Sequence, residues 1–199
     1  MHIRLTLVLV ALLVSAAALA ADAPKQLSAD QKATLDKMTQ AATPGAPHAM
    51  LTKMAGEWNC TLKLQMDPSK PAQESQSTAT ITSLMEGRYI QEVDSGNWSG
   101  MPYNGMGLFG YDNVSGKYVS SLIDNLGTGM MTCVGTADAS GKVIDWIGTF
   151  NDPSTGKVAT IRMVETVVDD DHHTVELYNT PPGGKKEMKM MTKEYVRKK

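Results

Sequence analysis

The 199-residue chain predicts a mainly-β protein, an antiparallel up-and-down, lipocalin-like barrel of about ten strands preceded by two short helices. Three observations predict it. From Glu57 the hydrophobic period becomes two: Trp58, Cys60, Leu62, Leu64 and Met66 alternate with Glu57, Asn59, Thr61, Lys63 and Gln65, the pattern of a half-buried strand. Turn chemistry then recurs, beginning at Asp67-Pro68 and Glu86-Gly87 and continuing to the far end of the chain. No helix of crossover length interrupts it, so consecutive strands pair as hairpins, and a meander of this size hides its edges best by closing.

The elements follow in order. Residues 1–20, MHIRLTLVLVALLVSAAALA, have a basic n-region at Arg4, an apolar run from Leu5 to Val14 and a small-x-small site at Ala18-Leu19-Ala20. They read as a signal peptide cleaved after Ala20, with no membrane anchor left behind, and predict an exported, periplasmic or extracellular protein. Residues 21–46 form an N-terminal helix and linker, opened by a Ser28/Gln31 capping-box pattern, with Leu35, Met38 and Ala42 on one face. A single β-barrel domain occupies 47–199. Its first element is a short helix from Pro47 to Met54, closed by Gly56, with Met50, Leu51 and Met54 facing a core. The strands are read at 57–66, 76–85, 88–94, 105–112, 117–124, 130–137, 142–150, 157–168, 173–179 and 186–196.

Charge narrows the function classes. Nineteen Lys and Arg against 21 Asp and Glu give a net charge of −2, so the surface carries no electrostatic footprint for nucleic acid. The segment GMPYNGMGLFGYDNVSGKY at 100–118 resembles a phosphate cradle in its glycine spacing. No helix pattern follows it, however, so no helix N-terminus is present to hold a phosphate. It reads instead as a strand and hairpin in which residues without Cβ leave room for Phe109, Tyr111 and Tyr118. Cys60 and Cys133 are the two cysteines. They fall on strands one and six of the meander, on opposite walls and too far apart for a bridge, so two free buried thiols are expected.

LTKMAGEW (51–58), LMEGRYIQE (84–92), MPYNGMGLFGYDNVSGKY (101–118) and IDNLGTG (123–129), with NDPSTGK (151–157) and EYVRK (194–198), resemble domain-of-unknown-function family 1579. The resemblance covers roughly residues 47–198. It implies a calycin-type β-barrel with no established activity, no cofactor and no catalytic residues to carry over.

Little in the sequence points to catalysis. His172 and His173 lie in DDDHH at 169–173, read as a polar turn. Adjacent strand residues point to opposite faces, so the pair does not form a metal site. His48 beside Pro47 reads as a helix-start residue. Among the 14 methionines, Met188 and Met190 share one face while Met191 faces away, which assigns them to a core or cavity lining rather than to copper. There is no G-x-S-x-G elbow. Arg88 and Glu92, four residues apart on one strand, could pair and orient a ligand's polar end.

The sequence therefore predicts a non-catalytic carrier for a small hydrophobic ligand, held in a cavity beneath the N-terminal helices. The apolar lining expected is Trp58, Leu62, Leu64, Phe109, Tyr111, Trp146, Phe150, Met188 and Met190, with Arg88, Glu92 and Asp124 as its polar members. Two alternatives stay open: an enzyme using Glu92 or Asp124 as acid and base, and a filled barrel serving as a scaffold for a partner protein.

Overall fold

The structure is a computed structural model that describes residues 27–65 and 69–199; the expected leader at 1–20 and the Asp67-Pro68 turn lie outside the described residues. Two helices, α1 (Ala29–Ala42) and α2 (Ala46–Lys53), precede ten strands. These are β1 (Gly56–Leu64), β2 (Gln73–Leu84), β3 (Tyr89–Trp98), β4 (Met101–Asp112) and β5 (Lys117–Asp124), then β6 (Met131–Ala137), β7 (Val143–Asp152), β8 (Lys157–Val167), β9 (His172–Thr180) and β10 (Met188–Arg197). Each strand pairs antiparallel with its sequence neighbours, and β1 zips onto β10 from Trp58↔Arg197 to Leu64↔Met191, closing the barrel. Closure leaves no strand edge unpaired, which removes the hazard an open meander carries.

Local chemistry sets the ends of these elements. Ser28 and Gln31 form the reciprocal cap expected of them, the Ser28 N–H donating to Gln31 Oε1 at 2.8 Å and the Gln31 N–H to Ser28 Oγ at 3.2 Å. Leu35 and Met38, expected on a packed face, are instead 51% and 64% exposed, and α1 buries no residue. Proline 44 and Gly45 turn the chain before that face reaches the wall, and the helix is moored at its C-terminus, where Asn113 Nδ2 donates to the carbonyls of Ala41 and Thr43. In α2, the Gly45 N–H donates to His48 Nδ1 at 3.0 Å, so His48 caps the helix start. Leu51 and Met54 of this segment are buried, and Met50 packs beside them.

Strands β3 and β4 run further than the sequence indicates. The stretch 95–104, read as a loop, is strand almost throughout and turns on Ser99-Gly100 alone. Both turn residues have positive φ, 49° and 88°, the backbone a tight two-residue hairpin requires. Arg88, by contrast, falls in the β2–β3 turn, where Nη1 donates to Glu86 at 3.2 Å. It is not four strand residues from Glu92 on a shared face, and the Arg88–Glu92 pair does not form.

Inside the barrel, rings lie flat against stretches of wall that have no side chain. A Cβ on Gly107 would stand 2.5 Å from the Phe109 ring, and one on Gly135 would stand 2.8 Å from Trp146 and 2.9 Å from Ile144. That is the role of glycine in the segment 100–118 and in β6: close approach rather than phosphate binding. Strand β10 holds the largest departure from simple alternation. A bulge between Lys189 and Met191 shifts its register against β9, so Met191, Lys193 and Tyr195 are buried. Met191, expected to face away, points inward, whereas Met188 lies exposed at the far end and Met190 is the extra residue.

Candidate functional site

The helices lie at the end of the barrel where β1 begins and β10 finishes. At that end Trp58, Tyr118 and Tyr195 belong to the main buried cluster, with Leu51 and Met54 from the α2 segment laid over them. The Trp58 indole N–H donates to the Met54 carbonyl at 3.0 Å, tying helix to barrel. Arg197 completes the tie. Its Nη1 donates to the Ala55 carbonyl at 2.7 Å and Nη2 to that of Lys53 at 2.9 Å, while its guanidinium sits 4.1 Å from the Trp58 ring centroid. A cation thus meets the carbonyl end of α2, where the helix dipole favours one.

Beneath α2 lies a recess of about 610 Å³, floored by Trp58, Tyr111, Tyr118 and His173 and walled by Met50 and Met54. Its volume falls in the range of small-molecule sites, roughly 300–1,000 Å³. His173 is 2% exposed. Its ring stacks on Tyr195 with centroids 3.8 Å apart and meets Trp58 edge-on at 4.6 Å, and its Nδ1 has no hydrogen-bond partner. Burial drives the imidazole down to about 4, so it is neutral near pH 7. The sequence placed His173 in a polar turn. The turn is tighter than that, and β9 starts at His172, so His172 bonds Asp169 outside while His173 enters the barrel.

Deeper in the barrel is a charged belt. Lys193 Nζ donates to Glu92 at 3.1 Å and to Asp94 at 2.5 Å, and Tyr195 Oη donates to Glu92 at 2.7 Å. Burial pushes the Glu92 carboxyl up, but the Lys193 charge and hydrogen bonds from Asp94, Tyr195 and Lys193 overcome it and hold Glu92 below its ordinary value. Burial and the Glu92 charge together raise Asp94 to about 7. Lys193, despite its burial, is held firmly protonated by the two carboxylates, so it cannot serve as an amine nucleophile. A further buried group, Glu165, accepts from Trp146 Nε1 at 3.1 Å and is raised by burial to about 7. Cys60 and Cys133 are free and buried, and burial raises Cys60 to about 12, which makes it unreactive.

The predicted lining residues divide by height. Trp58 and Tyr111 line the recess. Trp146, Phe109 and Phe150 belong to the main cluster beyond it. Leu62 and Leu64 form a smaller cluster with Met191, packed by Trp98 and Leu177. Glu92 joins the belt. Asp124 is exposed at the far end of β5, where it accepts from the Leu126 N–H at 2.9 Å. The groups that sequence reasoning missed are His173, Lys193, Tyr195 and Glu165. Alternation does mark Glu165, on the face of Ile161 and Met163; the β10 pair is hidden by the bulge. Among the described residues, no group of three His, Cys, Asp or Glu side chains is placed to hold a metal ion.

Ten antiparallel strands in sequence order, closed on themselves and plugged at one end by a helix, define a calycin-like up-and-down β-barrel protein. The chain belongs to the family described as "Protein of unknown function (DUF1579)", whose profile matches residues 43–197. No curated protein sequence matches it. Among solved structures it is similar to Rv2717c from M. tuberculosis, with TM-score 0.56 and 14% identity over 79% of this chain and 100% of that one. It is also similar to the S-type phycobiliprotein lyase CPES from Guillardia theta, with TM-score 0.53 and 10% identity over 81% of this chain and 97% of that one. At these identities the likeness is one of fold.

Proposed function

We propose that this chain is a non-catalytic binding module that carries a small apolar ligand in the recess beneath α2, and that it does so outside the cytoplasm. The observation that carries the reading is the recess itself, aromatic at its floor, where the Nδ1 of buried His173 has no hydrogen-bond partner, and charged at its rim. An apolar site with a few placed polar groups is the usual form of a small-molecule pocket. The leader-like composition of residues 1–20 supports export.

The reading is tested by uptake of N-phenyl-1-naphthylamine, a neutral dye that brightens in apolar surroundings. The wild-type chain should take it up, and Met50→Trp, which fills the recess from α2, should weaken uptake at least about tenfold. Val134→Thr, on the outer wall, should leave uptake unchanged. No uptake by the wild-type chain, or equal uptake by Met50→Trp, would overturn the proposal.

A further inference from the structure

We propose that the outer wall formed by β3 to β7 is the docking surface for a second copy of this chain, so that two barrels pair face to face.

The two halves of the barrel present unlike surfaces. On β8, β9, β10 and β1, outward side chains are charged and paired: Lys63 with Glu194 at 2.7 Å, Arg162 with Asp145 of β7 at 2.8 Å, and Lys189 with Glu176. On β3 to β7, outward positions instead put Val93, Met106, Leu108, Ile123, Val134 and Ile147 in solvent, each 40–52% exposed. Register makes neighbours of them. Val93, Met106 and Ile123 form one row across β3, β4 and β5. Val119, Val134 and Ile147 form another across β5, β6 and β7. Between the two runs a row of Gln91, Leu108, Ser121, Thr132 and Thr149. No residue of these three rows is charged, and the Gln91 amide donates to the Met106 sulfur at 3.0 Å.

A contiguous apolar patch on an otherwise charged surface marks an interaction site. Closure decides how it is covered. With no strand edge free, another chain cannot add to the sheet, and contact must be wall to wall. Charge then selects the occupant. Two copies of a charged patch repel, whereas an uncharged one meets itself without burying an unpaired ion. Symmetry agrees with this. A twofold axis along the middle row sets the Val93–Met106–Ile123 row of one copy against the Val119–Val134–Ile147 row of the other, apolar on apolar. The middle row then faces its own hydroxyls and amide. Size agrees as well. Five strands roughly 4.8 Å apart, each contributing about 20 Å, offer on the order of 500 Å² in projection. That is the same order as the roughly 800 Å² of accessible surface that each partner buries in a stable pair. Because the wall curves, β4, β5 and β6 carry the centre of the contact and β3 and β7 its margins. A lipid surface fits less well, since the patch has no Lys or Arg and lies mid-wall rather than on protruding loops. None of the six exposed residues lines the recess beneath α2, so pairing leaves that recess open.

Sedimentation equilibrium tests the proposal. The wild-type chain should be dimeric at about 100 µM. Ile123→Lys places two ammonium groups in the contact, one from each copy, and should raise the dissociation constant at least about a hundredfold. Leu108→Lys, in the middle row, should do the same. Val196→Lys, on an equally exposed position of β10 across the barrel, should leave the dimer intact. All three positions are exposed, so the fold does not depend on them. A wild-type chain that is monomeric at about 100 µM, or a dimer that survives both Ile123→Lys and Leu108→Lys, would overturn the proposal. Capture of a monomeric wild-type chain by phosphatidylcholine vesicles would assign the wall to a bilayer and overturn it likewise. Each of these results leaves the recess reading standing, because dye uptake beneath α2 does not involve the outer wall.

Discussion

Glu165 is the residue whose burial is hardest to reconcile with stability alone. A carboxyl in an apolar setting with one neutral donor is protonated far above its solution value, here from 4.5 to about 7. A folded state that holds a proton the unfolded chain releases is favoured at low pH. The contribution is fully present below about pH 4.5 and is lost as pH rises towards 7, amounting to about 3 kcal/mol by pH 8. Glu165→Gln should remove it. Urea denaturation of the variant and the wild type should show the variant more stable at pH 8 by about 3 kcal/mol relative to their difference at pH 4.5. A constant difference across that range would show that the carboxyl is not held neutral. Lys193 presents the opposite case, since its charge is matched twice over and its loss would leave Glu92 and Asp94 facing one another unscreened.

At the scale of elements, α2 owes its place to a few identifiable ties. Its own eight residues (Ala46–Lys53) are too few to form a stable helix in isolation. What fixes it is the burial of Leu51 and Met54, the Trp58 bond and the clasp of Arg197. Arg197→Met keeps an aliphatic stem over Trp58 but removes the donors. Amide hydrogen exchange across 46–53 should quicken while that of β6 to β8 stays slow, and global stability should fall by about 1–3 kcal/mol. Unchanged exchange in α2 would mean that packing alone holds it. By contrast α1, with no buried residue, hangs from Asn113 and contributes little to the barrel.

At the scale of the whole molecule, the closed barrel was legible because its signals are regular. Alternation in β1, a turn after every strand and the absence of a crossover helix leave few other topologies, and the ten strands appear in the predicted order. Resemblance to the family carried the same message. The recess's aromatic floor was half legible, through Trp58 and Tyr111, because their faces follow from an unbroken period of two. His173, Lys193 and Tyr195 were not, because each follows an irregularity: a shorter turn before β9 and an extra residue in β10. Arg88 failed for the same reason, a turn that runs from Met85 to Arg88 rather than over Glu86-Gly87 alone. Closure also governs the thiols. Cys60 and Cys133 face into one continuous core, so a thiol reagent should find none in the native protein and two in denaturant, without reductant. Fewer than two in denaturant would indicate a bridge that this architecture forbids.

Met190 has a consequence out of proportion to its size. Were Met190 drawn into the regular alternation that runs from Met188, Thr192, Glu194 and Val196 would turn inward, and Lys193 and Tyr195 would meet water. Glu92 and Asp94 would then be stranded, and the imidazole beside them would lose its stacking neighbour. The strand works like a reading frame: its spelling tolerates exchange of letters, but the meaning of its last seven residues depends on a single added one.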